Sequence, residues 1–268
     1  MNRSFAQGTI IPLAPLPEQK RIVENVDKLL TRVYAVRERL SKVQQILKRF
    51  RQSVLSSACS SHLTADWREK KSNIFSSNQI LVEIKKNRLE LATTSGQKKK
   101  IKEIYSYKEK ENSDRLPENW EYIALDKLCN SFQYGTSKKS EASGNIPVLR
   151  MGNIKNGRVD WTDLVYTSND TEIKKYELNS GDVLFNRTNS PELVGKTGIY
   201  MGEQPAIFAG YLIRINKIDE LESKYLNYCL NSPYAKEFCL RVKTDGVSQS
   251  NINAQKLGKF EVPFCPKE

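Results

Sequence analysis

The amino-acid sequence predicts an α+β protein in which a long, coiled-coil-forming helix precedes a globular domain of mixed α and β structure. Two patterns predict this fold class. Apolar residues recur in steps of four and three over residues 22–54, and after residue 116 short apolar runs alternate with glycine-containing turns. We expect four segments, with the tail of a preceding domain unit at 1–16, the long helix at 17–58, a partly helical, lysine-rich connector at 59–115 and the globular domain at 116–268.

The long helix carries the strongest periodic signal in the sequence. Pro17 and Glu18 suit its first turn, because proline needs no N–H there and the helix dipole favours an anion. A stripe of two apolar residues per heptad is narrower than the face of a helix packed on its own domain, so it favours a coiled-coil seam. Since a single helix cannot bury such a seam, a partner chain is implied. The predicted helix-pairing residues are Ile22, Val26, Leu29, Val33, Val36, Leu40, Val43, Leu47, Phe50 and Val54.

Secondary structure after the long helix is predicted from short apolar runs and from glycine and proline. The connector should contain a short helix at 80–89 and then a polar, lysine-rich stretch at 93–100. Such a stretch is typically mobile and solvated, and loose phosphate contact is the alternative. In the globular domain we expect strands at 146–151, 182–186, 198–201, 206–215 and 260–263, and helices at 221–230 and 234–242.

The composition favours a polyanionic partner. The 268 residues carry a formal net charge of +12 and a sequence pI near 9.4, which favours nucleic acid over a membrane surface. No apolar run approaches the roughly 18 residues of a membrane helix, and the N-terminus lacks the apolar core of a signal peptide. We therefore expect a cytoplasmic protein without a membrane segment.

Cysteine and histidine usage argues against metal and disulfide sites. The five cysteines form no C-x-x-C pair, and the single histidine, His62, lies beside two serines and a leucine. This pattern disfavours a zinc ribbon or a disulfide framework and favours reduced, mostly buried thiols. We predict no metal ion and no cofactor.

No catalytic motif is recognisable. Residues 194–198 resemble the end of a phosphate-binding loop, but the pattern requires a glycine where Ser190 stands. Signatures of dinucleotide binding, serine hydrolases, zinc proteases, kinases and amino-methyltransferases are also missing from the sequence. We therefore expect no catalytic residues, and the sequence does not favour an autonomous enzyme.

Polar loops in the globular domain contain the side chains that read DNA. Arginine suits guanine, asparagine suits adenine, and lysine suits phosphate. These loops leave two interpretations open, a DNA-reading surface and ordinary polar turns. The candidate DNA-binding residues are Tyr134, Thr136, Ser137, Lys138, Arg150, Asn153, Asn186, Arg187, Thr188, Asn189, Lys196, Thr244, Ser248, Gln249, Ser250 and Asn251.

A five-residue pattern near the N-terminus returns at the C-terminus. Residues 11–15, Ile-Pro-Leu-Ala-Pro, match residues 262–266, Val-Pro-Phe-Cys-Pro, and the first copy leads directly into the long helix. The correspondence suggests one unit of a tandem array, which begins with the tail of one domain and stops where a second helix would start.

Several segments, in their order along the chain, resemble the specificity subunit of type I restriction-modification systems. They include Pro-Leu-Pro-Glu-Gln at 15–19, and Leu-Pro-Glu-Asn-Trp at 116–120, which resembles the opening of a target recognition domain. The other segments that carry the resemblance are 63–68, 146–150, 178–187 and 246–252. The resemblance covers nearly the whole chain.

The resemblance implies a non-catalytic subunit with two target recognition domains and two conserved helices that pair antiparallel. Each recognition domain would read one half of a split site in double-stranded DNA. The helices would set the spacing and dock modification subunits, through which the restriction subunit joins the complex. This chain has one helix and one recognition domain, so we expect a half or truncated subunit that pairs through the seam, either with a second copy or with another half.

Three other interpretations stay open. A coiled-coil adaptor would bind protein and not DNA. A fragment of a methyltransferase-nuclease would show activity with a methyl donor, although the missing motifs argue against it. A non-functional remnant would show neither partner binding nor activity.

Overall fold

The computed structural model describes residues 12–70, 77–107, 116–117 and 119–265 of the chain. Contacts divide the chain into two units, Met1–Arg51 and Gln52–Glu268. Most of the predicted tail at 1–16 lies outside the described residues, as do parts of the connector.

The long helix, α1, spans Leu16–Cys59 and confirms the predicted helix at 17–58. The carbonyl of Pro15 accepts the N–H of Glu18 at 2.9 Å and so closes the first turn. The helix ends shortly before Ser61, which has a left-handed backbone conformation with a φ of 71°. A right-handed helix cannot continue through that conformation.

All ten predicted helix-pairing residues are exposed, with exposed fractions between 39% for Val54 and 65% for Phe50. Val23, Leu30 and Ile46 are exposed as well and widen the apolar stripe beyond two positions per heptad. A stripe of this length exceeds the scattered apolar residues of an ordinary protein surface. The pairing of this stripe with a partner helix stays a prediction.

The connector is more helical than predicted, with helices α2, α3 and α4 at Ala65–Glu69, Ser77–Leu91 and Ser95–Ser106. Helix α3 confirms the predicted helix at 80–89. The sequence interpretation missed α4, which occupies most of the lysine-rich stretch at 93–100. The Thr94 hydroxyl accepts the N–H of Gln97, and the Gln97 side chain accepts the N–H of Thr94. This capping box starts a helix that the lysine-rich composition concealed.

Helix α3 packs onto the globular domain. Ile84 is buried in the larger hydrophobic core of that domain. The Arg88 guanidinium donates to the Asp126 carbonyl at 3.1 Å, and the Ser77 hydroxyl lies 2.6 Å from the Asn119 carbonyl oxygen. Helix α3 is therefore part of the folded domain and does not act as a loose spacer.

Replacing Ser77 with alanine is expected to lower the free energy of unfolding by about 0.5–1.5 kcal/mol, because the buried hydroxyl donates to a main-chain carbonyl. Urea denaturation of the full chain measures the change. The control is Ser143→Ala at an exposed position, which should change the free energy by less than about 0.5 kcal/mol. Equal effects of the two substitutions would contradict this role for Ser77.

The globular domain combines short strands with short helices. Its strands are β1 at Glu121–Ala124, β2 at Cys129–Tyr134, β3 at Ile146–Leu149, β4 at Ile154–Lys155, β5 at Arg158–Val159, β6 at Val165–Thr167, β7 at Val183–Asn186, β8 at Thr188–Asn189, β9 at Thr197–Ile199, β10 at Ile207–Phe208, β11 at Leu212–Lys217, β12 at Thr244–Asp245, β13 at Ser250–Asn251 and β14 at Glu261–Phe264. Its helices are α5 at Asp170–Tyr176, α6 at Ser223–Leu230, α7 at Pro233–Val242 and α8 at Ala254–Gly258.

The central sheet is mixed and six-stranded, in the order β2-β11-β7-β9-β5-β4. The smaller sheets have the orders β10-β3-β6, β12-β13-β8 and β1-β14. Along β7, Val183 and Phe185 enter one core cluster while Leu184 enters the other, as the two-residue period of a strand requires. Both faces of the central sheet are thus covered, and the predicted α+β class is confirmed.

The predicted strand at 206–215 is wrong as a single element. The structure divides it into β10 and β11, which belong to different sheets. The N–H of Gly210 donates to the Thr136 carbonyl at 2.7 Å and turns the chain between them. The main chain at Gly135 also lies close to β10, and glycine permits this because a Cβ there would lie 2.2 Å from the Phe208 carbonyl oxygen. The sequence interpretation also missed β1, β2 and α5.

All five cysteines are free, and four of them are buried, which agrees with the predicted thiols. The Sγ atoms of Cys59 and Cys229 lie 3.6 Å apart. Burial raises the pKa of the Cys239 thiol to about 12 and therefore keeps it protonated at neutral pH.

Candidate nucleic-acid interface

Two of the predicted polar loops join into one small sheet. Strand β8 comes directly after Arg187 and pairs antiparallel with β13, which in turn pairs with β12. The main chain of Arg187 is held on both sides. Its N–H donates to the Tyr211 carbonyl, and its carbonyl accepts the N–H of Ile252, both at 2.9 Å. Segments that are distant in the sequence, 186–189 and 244–251, are therefore neighbours in the fold.

The Arg187 side chain lies at the point where four loops meet. Its guanidinium carbon is 4.8 Å from the centre of the Tyr134 ring. Its Nη1 donates to the Gly210 carbonyl at 3.3 Å, and its Nη2 donates to Asn251 Oδ1 at 3.4 Å, both long hydrogen bonds. Asn251 Nδ2 donates in turn to the Thr188 hydroxyl at 2.8 Å. We call Tyr134, Arg187, Thr188, Gly210 and Asn251 the arginine cluster.

A hairpin projects from the same sheet. The Asp245 carboxylate accepts hydrogen bonds from Lys243 and Ser250, and the N–H of Gly246 donates to the Gln249 carbonyl at 2.8 Å. Lys256 braces the base of the hairpin by donating to the Thr244 hydroxyl at 2.6 Å. The hairpin thus has a bonded base and a tip, residues 246–249, that is exposed to solvent.

Hydrogen bonds from Lys243 and then Ser250 lower the pKa of the Asp245 carboxyl. The folded form therefore binds this proton more weakly than the unfolded chain does. The stabilisation of the hairpin is present above the ordinary pKa of about 3.8 and is lost as the pH falls through the lowered value. An NMR titration of the Asp245 carboxyl should give a midpoint below 3.8, and Lys243→Ala should raise it. An unchanged midpoint in that variant would contradict the contact.

The prediction of direct DNA contact is corrected for four residues, because their side chains are buried and cannot reach a ligand without rearrangement. Asn153 instead donates to the carbonyls of Asp160 and Thr162 at 3.0 and 2.8 Å. The hydroxyl of Thr136 donates to the Glu172 carboxylate. Among the described residues, neither polar atom of the Asn186 side chain has a hydrogen-bond partner. The buried residues are Thr136, Asn153, Asn186 and Ser250.

Arg150 and Lys138 make contacts outside the arginine cluster. The Arg150 guanidinium donates to the Asp163 carbonyl at 2.8 Å. The Lys138 ammonium lies 3.5 Å from the Glu172 carboxylate, which offsets part of its charge. The remaining candidates keep accessible side chains, being half-buried at Thr188, Asn189, Lys196 and Asn251 and exposed at Ser137, Thr244, Ser248 and Gln249.

Sequence reasoning missed two residues of this surface. Gly210 supplies the carbonyl that holds Arg187, and the side chain of Tyr211 beside it is 47% exposed. A glycine-tyrosine pair inside an otherwise apolar run was the available signal, because glycine in a strand often marks a close approach or a break.

In the part of the chain that the structure describes, no helix is long and apolar enough to cross a membrane. Among the same residues, no group of three or more histidine, cysteine, aspartate or glutamate side chains is arranged to hold a metal ion.

Comparison with known proteins places the globular domain in a defined family. The family model described as the type I restriction modification DNA specificity domain matches residues 117–268, which include the whole arginine cluster and the hairpin. The chain belongs to this specificity-domain family. Proteins of this kind are in general non-catalytic components of restriction-modification systems.

Relatives within the specificity-domain family are about twice as long as this chain. The EcoKI specificity subunit of Escherichia coli (strain K12) is 30% identical over 256 residues, covering 91% of this chain and 46% of that protein. The putative MjaX specificity subunit of Methanocaldococcus jannaschii is 32% identical over 159 residues, covering 57% of this chain and 37% of that protein. The chain thus spans about half the length of the curated relatives it matches.

A solved structure shares the fold. A chain from a study of complex assembly and conformational transition of the type I restriction-modification system superposes with a TM-score of 0.56 at 19% identity. The superposition covers 99% of this chain and 52% of that one. The long helix followed by a mixed domain is therefore a fold that a type I restriction-modification structure also contains.

Proposed function

We propose that this chain is a DNA-reading specificity subunit, in a half or truncated form, that recognises one half of a bipartite double-stranded site. The arginine cluster carries the proposal. It presents a half-buried guanidinium among polar loops in a domain of the specificity family. The net charge of +12 supplies the attraction to phosphate groups that DNA binding requires.

The accessible polar residues around the arginine cluster suit different parts of the DNA duplex. Arg187 suits a guanine edge, while Asn189 and Gln249 suit an adenine edge. Ser137 and Lys138 suit the phosphate backbone, which fixes the register of the protein on the duplex. The hairpin at 244–251 has the width of a two-stranded ribbon, which the major groove admits.

The long helix serves a separate purpose in this proposal. Its exposed apolar stripe pairs with the same stripe of a second copy, or with another half subunit, and sets the distance between two half-sites. A two-fold symmetric pair would read an interrupted palindrome. The paired helices would also dock the modification subunits, and through them the restriction subunit, in the cytoplasm. The chain itself would perform no catalysis and bind no cofactor.

Selection from a random duplex library tests the proposal. The purified full chain, alone and with a modification subunit, is incubated with the library at two salt concentrations, and the bound DNA is sequenced. We expect a two-part motif with a fixed spacing and affinity that falls steeply with salt. Binding to no DNA at either salt concentration, while another protein is bound through the helix, would overturn the proposal in favour of a coiled-coil adaptor.

A further inference from the structure

We propose that Tyr134 and Asn251 position the Arg187 guanidinium for a bidentate contact with one base, and do not themselves contact DNA. This inference rests on the proposed DNA-reading function and names the residues that determine its specificity. It reassigns two residues that the sequence analysis grouped with the DNA contacts. The contacts of Arg187 carry the argument.

Tyr134 is already engaged at its hydroxyl and on one ring face. Its hydroxyl accepts the N–H of Ala254 at 2.9 Å, which fixes the ring at the end of β2. The guanidinium of Arg187 lies over the ring, at 4.8 Å from its centre. A planar cation over an aromatic face is attracted by the ring quadrupole, so the ring sets the plane in which the guanidinium lies.

The Arg187 guanidinium keeps N–H groups that no hydrogen bond within the described chain uses. A guanidinium has five N–H groups. The Nε group is buried and has no partner among the described residues. One N–H of Nη1 goes to Gly210, and one N–H of Nη2 goes to Asn251. Two N–H groups therefore remain, one on each terminal nitrogen, which is the number that a bidentate contact with guanine O6 and N7 uses.

The pairing of Asn251 with Thr188 explains why Asn251 can hold this position. Its Nδ2 donates to the Thr188 hydroxyl, so its Oδ1 faces Arg187. The register that pairs Asn251 with Thr188 across β13 and β8 brings the two side chains together. An arginine side chain loses much rotamer freedom when it binds, and a preset orientation removes part of that cost before DNA arrives.

The test compares base discrimination in four full-length variants, Arg187→Ala, Tyr134→Leu, Tyr134→Phe and Asn251→Ala. Affinity is measured for the selected duplex and for duplexes with each base pair of the half-site replaced in turn. Arg187→Ala identifies the base pair that Arg187 reads. Tyr134→Leu and Asn251→Ala should lower discrimination at that same pair by about tenfold and leave the other pairs unchanged. Tyr134→Phe keeps the ring and should lower it by less than about threefold.

The combined variant and a matched control make the result decisive. Tyr134→Leu added to Arg187→Ala should cause no further loss, because no guanidinium remains to be positioned. Tyr228→Leu is the control, since Tyr228 is exposed to a similar degree, 47% against 39% for Tyr134, and has no arginine over its ring among the described residues. Thermal midpoints verify folding, and Asn251→Ala carries the test if Tyr134→Leu does not fold.

Four outcomes would overturn the inference. One is equal weakening on all sequences, which would make Tyr134 and Asn251 phosphate contacts or purely structural residues. Another is a full additional loss in the combined variant, which would mean that they act independently of Arg187. If Arg187→Ala itself leaves base discrimination unchanged, Arg187 does not read a base and its positioning by Tyr134 and Asn251 fails as well. If only Tyr134→Leu and Asn251→Ala leave discrimination unchanged, Arg187 still reads the base but these two residues do not position it.

Discussion

Replacing Leu40 with aspartate is expected to abolish pairing of the long helix at micromolar concentration. Leu40 lies in the middle of the seam and is 62% exposed in the single chain, so its burial would come from a partner helix. Burying a leucine contributes about 1.5–3 kcal/mol, and a two-fold dimer contains the residue twice, so roughly 3–6 kcal/mol is lost. The dissociation constant should rise by about 10²–10⁴-fold. Sedimentation equilibrium of the full chain measures this change.

The matched control introduces the same residue on the outer face of the same helix. Gln45 is exposed and lies five positions after Leu40, outside the seam. Gln45→Asp therefore imposes the same helix propensity and charge without removing apolar contact area. It should leave the dimer intact. A wild-type chain that is monomeric at micromolar concentration, or equal weakening by both substitutions, would contradict pairing through the seam.

Replacing Arg187 with alanine is expected to lower discrimination at one base pair by about 1–3 kcal/mol, the range for a bidentate contact. This corresponds to about 5–150-fold in relative affinity. The remaining base pairs of the half-site should be read as before, because the hairpin and β8 keep their main-chain pairing. Competition binding with single-base variants of the selected duplex measures the change.

Arg158→Ala is the control for the loss of a positive charge. Arg158 is exposed on β5 in the same domain. Its replacement should alter the salt dependence of binding at most, without a change at any single base pair. If Arg187→Ala weakens binding equally on all sequences, then Arg187 contacts phosphate and does not read a base.

Features with local causes were predictable from the sequence. The heptad pattern predicted α1 almost to its ends, because the apolar spacing and the proline-rich start are local signals. The polar loops at 186–189 and 244–251 were recognised from their composition. Helices α6 and α7 were also predicted, and Ser232 with Pro233 divides them as an N-cap and a first-turn proline.

Features that depend on tertiary contacts were not predictable. Asn186 was predicted to end a strand and to contact DNA, yet its side chain is fully buried at the end of β7. The division between β10 and β11 depends on the contact of Gly210 with Thr136, which are far apart in the sequence. The convergence of Tyr134, Arg187 and Asn251 has the same origin, so composition suggested each loop but not their meeting.

Methylation sequencing of a host that expresses this chain with a cognate modification subunit tests the central claim most directly. The control is the same host with the modification subunit and an intact specificity subunit, which must give the known motif of that pair. We expect a new methylated motif in two parts with fixed spacing, and an interrupted palindrome if two copies of the chain pair. If the control host is methylated at its known motif while this chain produces no new motif, the claim that the chain reads DNA as a specificity subunit is contradicted.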